Sequence, residues 1–154
     1  MEEIIVISFV SINKDNYENV LKLEVADNQR QFVAPNVRSL ADCYYYRNEG
    51  DVFPYAIQDG DEVVGFILLD LDAAEKEYMI WRMMIDRHHQ RKGYGKQTIQ
   101  KVIEMAKNEE GYTTLIADYV KGNEVMGELL RLLGFVDHSF NEEWNEYVLH
   151  YRLQ

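Results

Sequence analysis

The sequence has a single cysteine, Cys43, and only 2 prolines among its 154 residues. One cysteine can form neither an internal disulfide nor a cysteine-based zinc site, which predicts a protein of a reducing, cytoplasmic compartment. No histidine or cation adjoins Cys43 to activate its thiol, so no nucleophilic role is expected. The scarcity of proline, together with 47% hydrophobic and 12% aromatic residues, excludes a disordered chain.

Positive charge and long apolar segments are also scarce. Lys and Arg number 16 against 27 Asp and Glu, which gives a net charge of −11. Such a surface repels phosphate backbones, so nucleic acid is not an expected partner, whereas a cationic partner is compatible with it. Solubility alone explains the acidic excess equally well. The start, Met1–Glu3, is acidic where a signal peptide is basic, and the apolar run Ile4–Val10 is too short to cross a membrane.

Hydrophobic periodicity divides the chain into successive elements without a linker or a repeat. The predicted order is a strand over Ile4–Ile12, a helix from Asn13 or Asp15, a short helix after Ser39, strands over Phe53–Ile57, Glu62–Leu69 and Glu77–Ile85, a helix after Gly95, a strand over Thr113–Tyr119, a helix over Met126–Leu133, and strands over Phe135–Phe140 and Tyr147–Leu153. This order predicts one domain over residues 1–154, of the α/β or α+β class, with a mixed sheet covered by helices.

Two signals refine the strands in the middle of the chain. Asp59–Gly60, between two apolar runs, predicts a hairpin turn. Pro54 has no N–H to donate, which predicts an edge position for its strand.

The segment Met83–Lys96 is the most informative part of the sequence. A strand ends here, a short loop carries five basic or potentially basic residues, and Gly93 and Gly95 open a helix. A helix N-terminus favours an anion by about 0.3–1 kcal/mol in exposed settings, and glycine lets the backbone approach it closely. An ordinary turn with solvated charges would have the same pattern. The third glycine of a dinucleotide fingerprint and the Gly-Lys-Ser/Thr of a P-loop are both absent.

Two motifs in this region and downstream resemble those of a known family. The run Gln90–Gly95 is similar to the acetyl-CoA pyrophosphate loop of the GNAT family of N-acetyltransferases, written Gln/Arg-x-x-Gly-x-Gly/Ala. Asn123, Leu129 and Gly134–Phe135 resemble the family motif Asn-x-x-Ala-x-x-Leu-Tyr-x-x-x-Gly-Phe. The resemblance covers nearly the whole chain. It implies a mixed, mostly antiparallel central sheet flanked by helices, and direct transfer of an acetyl group from acetyl-CoA to a primary amine.

The resemblance also implies roles for individual positions. The backbone of Met83, Met84 and Ile85 is expected to pair with the pantetheine arm, and the N–H of Met84 to stabilise the thioester oxygen. Asn123 matches an asparagine that contacts the cofactor. The loop residues expected to bind the cofactor are Gln90, Arg91, Lys92, Gly93, Tyr94, Gly95 and Lys96.

The sequence departs from the family where a general acid is common. Leu130 replaces a tyrosine that protonates the leaving thiolate, and Met126 replaces a small alanine. Tyr119, at the end of the preceding strand, is the substitute acid that we consider, although packing in a strand also explains a tyrosine there. The sequence identifies no general base for the amine, whose deprotonation is costly at neutral pH.

A second resemblance, to bacterial spermine/spermidine acetyltransferases, rests on four segments: Gln29–Pro35, Tyr44–Tyr46, Trp81–Arg82 and Ile85–Asp86. It implies a small polycationic amine, which an acidic and aromatic cleft attracts by charge and cation–π contacts. The expected amine contacts are Glu24, Asp27, Gln29, Tyr44, Tyr45 and Trp81. Two alternatives stay open: acetylation of another amine (a protein N-terminus, an amino acid or a drug), and a non-catalytic acyl-CoA-binding module. A homodimer also stays open.

Overall fold

The computed structural model describes residues 6–154. Met1–Glu3, and Ile4 and Ile5 of the first predicted strand, lie outside this range. The elements follow the predicted order, with an additional 3₁₀ helix at Asp27–Gln29. Their bounds are β1 (Ile7–Ser11), α1 (Tyr17–Lys22), α2 (Asn36–Tyr45), β2 (Val52–Asp59), β3 (Glu62–Asp72), β4 (Glu77–Ile85), α3 (Tyr94–Asn108), β5 (Thr114–Val120), α4 (Glu124–Leu132), β6 (Val136–Asn141) and β7 (Glu146–Arg152).

The strands form a seven-stranded sheet in the order β1-β2-β3-β4-β5-β7-β6. β1 pairs antiparallel with β2, and β7 pairs antiparallel with both β5 and β6, whereas β4 and β5 are parallel. The predicted fold class, a mixed and mostly antiparallel sheet with helices, is therefore confirmed. The parallel pairs run from Glu77 with Thr114 to Ile80 with Ala117, and β4 continues beyond them to Ile85.

The prediction that Pro54 marks an edge strand is wrong. Its strand, β2, lies between β1 and β3. The pairs between β1 and β2 run from Ile7 with Asp59 to Ser11 with Tyr55. Pro54 lies one residue outside this ladder, where β1 requires no N–H from it. The predicted hairpin is confirmed, since β2 ends at Asp59 and β3 begins at Glu62.

The chain forms two compact units, and the first comprises the residues up to Leu68 together with Arg82–Thr98. β3 is buried on both faces from Val63 to Leu69, which explains why its sequence is a continuous apolar run. The fully buried side chains of this unit include Val20, Ile57, Val64, Phe66, Ile67 and Leu68.

The second unit comprises Leu69–Trp81 and Ile99–Gln154. The helical stripe predicted for α3 is confirmed, because the members of that stripe are all buried. The buried side chains of this unit include Ile99, Val102, Ile103, Ala106, Leu115, Leu130 and Leu149. One domain over the whole chain stays a prediction. Within residues 6–154, no helix combines the length and the apolar character needed to span a membrane.

Candidate active site

In the first unit, β4 ends against a glycine of β3. A Cβ atom at Gly65 would lie 2.5 Å from the backbone oxygen of Met84 and 2.9 Å from Cδ1 of Ile85. The carbonyl of Met84 therefore faces β3, as does the N–H of Asp86, which donates to a β3 carbonyl at 2.8 Å. In an antiparallel hairpin a residue directs its N–H and C=O to the same neighbour, and the next residue faces the other way. The N–H groups of Met83 and Ile85 thus face away from β3.

Polar contacts hold α2 against this end of β4. Nη1 of Arg82 donates to Oδ2 of Asp42 at 2.6 Å and to Oγ of Ser39 at 3.3 Å. The Arg82 and Asp42 side chains are only 18% and 14% exposed. The buried amide of Asn36 donates to a carbonyl of α1 at 3.0 Å and lies 3.7 Å from Sδ of Met84. Because these groups are largely desolvated, their hydrogen bonds are costly to break, which fixes α2 on the strand.

The same helix carries the single cysteine. Burial is the main cause that raises the pKa of the Cys43 thiol, and the neighbouring Asp42 charge adds to it. A nucleophilic cysteine needs the opposite shift.

The loop after β4 is built around a buried carboxylate to which the sequence assigned no role. Asp86 is 7% exposed. Its Oδ1 accepts the N–H of Glu24 at 3.0 Å, and its Oδ2 accepts the N–H of His88 at 3.1 Å. The N–H of Arg87 donates to the carbonyl of Glu24 at 2.8 Å. The segment after α1 is thereby bonded to this loop through both backbone groups of one residue.

Gln90 directs its side chain into the protein. Its Nε2 donates to Oε1 of Gln29 at 2.8 Å and to the carbonyl of Ile85 at 3.0 Å. Nε2 of Gln29 donates back to Oε1 of Gln90 at 3.3 Å, and Oε1 of Gln29 also accepts the N–H of Ala26 at 3.2 Å. The structure therefore brings together two predicted site residues, although their amides are satisfied by each other.

The turn that follows Gln90 has the backbone conformation that an anion loop requires. Arg91 and Gly93 have φ values of +65° and +87°, which place both in the left-handed region. A Cβ atom at Gly93 would meet no described atom within 4 Å, so the backbone there is open to a ligand. Glycine supplies this conformation without steric cost, whereas any side chain would both strain the turn and fill the space.

α3 begins immediately after this turn. The N–H of Gln97 donates to the carbonyl of Gly93 at 3.1 Å and closes the first turn of the helix. The N–H groups of Gly95 and Lys96 belong to that turn, where an α-helix provides no carbonyl partners. Arg91 and Lys92 are exposed beside it. Open backbone, a helix N-terminus and local positive charge fit a diphosphate group.

The side chain of Tyr94 does not face this open space. Its hydroxyl donates to Oδ2 of Asp59 at 2.5 Å, and the residue is 6% exposed. His89 packs beside the Tyr94 ring and lies 3.2 Å from the Glu62 carboxylate. Tyr94 therefore anchors the start of α3, and its ligand-facing contribution is restricted to the backbone.

The predicted amine contacts of the first unit are mostly exposed. Glu24 and Asp27 approach the same guanidinium, that of Arg30, at 3.9 and 3.1 Å. The ring of Tyr44 already carries a cation, because the guanidinium carbon of Arg47 lies 3.9 Å from its centroid. Tyr45 is 75% exposed. Trp81 belongs to the second unit, where it is half-buried.

In the second unit, Tyr119 is buried and held on three sides. Its hydroxyl accepts a hydrogen bond from Nη2 of Arg131 at 2.6 Å, and its ring stacks on Tyr147 at 5.3 Å between centroids. A Cβ atom at Gly127 of α4 would lie 2.6 Å from its Cζ. Asp137 completes the cluster at 2.9 Å from Arg131. Hydrogen bonds to Asp137 and Tyr119 raise the pKa of Arg131, whose guanidinium is charged in any case.

The second motif begins at the residue before α4 and ends at Phe135, beyond the helix. Asn123 directly precedes the helix, and its side chain makes no capping hydrogen bond. Leu130 is 1% exposed and packs in the core. A buried leucine at this position can neither donate nor accept a proton.

A carboxyl pair on neighbouring strands is a feature that the sequence analysis missed. Asp118 of β5 faces Val148 of β7, and Val120 faces Glu146, so the two acids are diagonal neighbours on one face of the sheet. Burial, followed by repulsion from Glu146 and a hydrogen bond with it, raises the pKa of Asp118 to about 8. Alternation along each strand shows which residues share a face of that strand. Only the register between β5 and β7 shows that Asp118 and Glu146 are neighbours.

Comparison with known proteins identifies the family. The model of the acetyltransferase (GNAT) family matches residues 13–135, which include the loop and the second motif. The chain belongs to the GNAT family. It is therefore an acetyl-CoA-dependent N-acetyltransferase with an amine as acceptor.

Individual relatives of this GNAT enzyme are similar at different levels. Over 107 residues it is 31% identical to a probable spermine N(1)-acetyltransferase of Bacillus subtilis subsp. natto. That match covers 64% of this chain and 66% of the relative, just under two thirds of its length. The fold is similar to that of spermidine N-acetyltransferase from Vibrio cholerae in complex with CoA and spermine, with a TM-score of 0.77, 10% identity, and 96% and 95% of the two chains covered.

A third relative has the same fold and a different acceptor. It is a ribosomal L7/L12 α-N-protein acetyltransferase in complex with coenzyme A, with a TM-score of 0.77, 11% identity, and 95% and 93% coverage. At these low identities the structural similarities establish the fold alone.

Proposed function

We propose that this enzyme acetylates a primary amine of a polyamine such as spermine or spermidine. The observation that carries the proposal is the 31% identity to a probable spermine N(1)-acetyltransferase. The net charge of −11 supports it, because an acidic protein attracts a polycation at long range. Glu24 and Asp27 share Arg30 on the surface, where an ion pair contributes about 0–1 kcal/mol, so a polyamine can replace the arginine.

Acetyl-CoA supplies an acetyl group that is activated as a thioester. We assign its diphosphate to the turn from Arg91 to Gly93 and to the N–H groups of Gly95 and Lys96. We assign its pantetheine arm to the backbone of β4 that faces away from β3. The donor to the thioester oxygen is then the N–H of Met83 and not that of Met84, because the strand directs the backbone of Met84 towards β3.

Proton transfer is assigned to groups of the second unit and to water. The acceptor must become a neutral amine, which costs about 4–5 kcal/mol at pH 7 for a pKa near 10.4. Water relayed through acidic side chains is the base that we propose. Tyr119 is the proposed acid, because its hydroxyl accepts from Arg131 and keeps its own hydrogen for donation. Asn123 stays assigned to the cofactor.

Thiol release from acetyl-CoA with a panel of amines tests the substrate. Spermine and spermidine should give a kcat/KM at least about tenfold above those of lysine, an aminoglycoside and a peptide N-terminus, a difference of about 1.4 kcal/mol. A preference for the peptide would favour the same chemistry on another amine. Coenzyme A binding without turnover of any amine would favour a non-catalytic module.

A glycine variant with a matched control tests the cofactor loop. Gly93→Val should abolish binding of coenzyme A, measured by calorimetry, because the side chain fills the open space and strains the turn. Gly50→Val is the control, since Gly50 also has a positive φ, of +71°, and open space around it. Equal binding by both variants would contradict the assigned loop.

Removal of one hydroxyl tests the acid. Tyr119→Phe should lower kcat by about a hundredfold or more, the usual contribution of a general acid, with little change in KM. Tyr147→Phe is the control, because this tyrosine stacks on the same ring. Similar rates for the two variants would remove Tyr119 from the mechanism.

A further inference from the structure

Four hydrogen bonds join two segments of the first unit, each between residues more than 60 positions apart in the chain. We call Glu24–Gln29 the amine segment and Asp86–Gly93 the cofactor loop. The backbone of Glu24 both donates to Asp86 and accepts from Arg87. The side chains of Gln29 and Gln90 donate to each other.

The amide pair is directly continuous with the anion-binding turn. Gln90 precedes Arg91, whose φ of +65° begins the turn. The same amide of Gln90 also donates to the carbonyl of Ile85 at the end of β4, so it spans the loop at its base. Oε1 of Gln29 accepts the N–H of Ala26 within the amine segment. The turn is therefore joined through Gln90 to a pair of amides that also bonds to β4 and to the amine segment.

We infer that Asp86, Gln29 and Gln90 are positioning residues that couple cofactor binding to the conformation of the amine segment. The inference rests on the proposed function, which places a diphosphate on the cofactor loop and an amine at the amine segment. When the bound anion orders the turn, Gln90 is fixed and holds Gln29. Asp86 then acts on Glu24, the residue that bears one of the proposed amine-binding carboxylates. Linkage requires that a bound amine tighten cofactor binding by the same factor.

The role assigned to Gln29 differs from that of a substrate contact. Both oxygen and nitrogen of its amide are engaged within the protein. Neutral hydrogen bonds of this kind change an equilibrium by about three- to tenfold when they are removed. The effect of Gln29 on the amine is therefore indirect and should depend on Gln90.

Amide hydrogen exchange tests the coupling without an amine. In the wild-type enzyme, saturating coenzyme A should slow exchange of residues 24–29 by about tenfold, an effect within the range of one network of hydrogen bonds. In Gln90→Leu and in Gln29→Leu the slowing should fall below about threefold, although coenzyme A still binds. The double variant should resemble the single ones, because all three lack the same pair.

Two further variants separate coupling from structural damage. Gln29→Glu retains the oxygen that accepts from Gln90 and Ala26, and it should keep most of the slowing. Asn28→Ala, an exposed neighbour, should keep all of it. With spermine as the probe, KM should rise about three- to tenfold in the leucine variants while kcat stays within about twofold.

The outcomes distinguish this inference from the proposed function. No binding of coenzyme A to the wild-type enzyme would refute the cofactor loop and the inference together. Binding without any slowing at residues 24–29 would refute the inference alone. Full slowing in both leucine variants, or losses that multiply in the double variant, would also overturn it.

Discussion

The contact between Gly127 and Tyr119 predicts a substitution whose effect on stability changes sign with its background. A Cβ atom at Gly127 would lie 2.6 Å from Cζ and 2.8 Å from the hydroxyl oxygen of Tyr119. Ordinary contacts begin near 3.4 Å, so the ring would have to move by about 0.8 Å. Tyr147 stacks on the ring and Arg131 holds its hydroxyl, so the ring has little freedom to move.

Helix propensity and steric overlap oppose each other in Gly127→Ala. Alanine in the interior of α4 favours the helix by about 0.8–1 kcal/mol relative to glycine. Overpacking against a constrained ring costs about 1–3 kcal/mol. The steric clash outweighs the gain in helix propensity, so the variant should lose about 0–2 kcal/mol of unfolding free energy. In a Tyr119→Val background the ring is absent, and the same substitution should stabilise by about 0.5–1 kcal/mol.

Urea unfolding of the four proteins of this double-mutant cycle measures both effects. The midpoints should shift in opposite directions in the two backgrounds, with unchanged slopes. The coupling energy of the cycle should be about 1–3 kcal/mol, as for directly contacting residues. If Gly127→Ala stabilised both backgrounds equally, α4 would not press on the Tyr119 ring. That result would refute the predicted steric overlap between position 127 and the ring.

Three further substitutions follow from single contacts. Gly65→Ala should weaken coenzyme A binding at least tenfold in calorimetry, because its Cβ would lie 2.5 Å from the Met84 carbonyl and would displace the end of β4. Unchanged affinity would show that the packing of β3 on β4 does not affect cofactor binding. Asp118 has its pKa raised to about 8 in the folded protein, so the folded state retains a proton that the unfolded chain releases near pH 3.8. The stability that this proton contributes is thus fully present below pH 4 and is lost as the pH rises towards 8. Asp118→Asn should remove this pH dependence in urea titrations, and an unchanged dependence would contradict the carboxyl pair. Asp42→Ala should lose about 1.5–3 kcal/mol of unfolding free energy in the same assay, the usual contribution of a hydrogen bond to a charged group, because the half-buried Arg82 loses this carboxylate and keeps its bond to Ser39; a loss below about 0.5 kcal/mol would mean that solvent replaces the contact.

The sequence predicted the features that depend on neighbouring residues. The element order follows from periodicities of two and 3.6 residues, and burial of the α3 stripe confirms it. The loop motif could be recognised because a turn with positive φ at Gly93 followed by a helix is a local conformation. The absence of a general acid at position 130 could also be predicted, because a leucine has no ionisable group in any fold.

Partners that are distant in the chain were decided by the tertiary structure. Asp86 and Glu24, Gln29 and Gln90, and Arg131 and Tyr119 meet only because strands and helices bring separate segments together. The sheet order also overrode the prediction for Pro54, since the length of β1 determined which N–H groups were needed. Local propensity acts over a few residues, whereas a buried polar group must find its partner wherever the topology places one. For this reason the sequence identified the family and predicted its loop, and only the fold showed which residues pair to hold that loop in position.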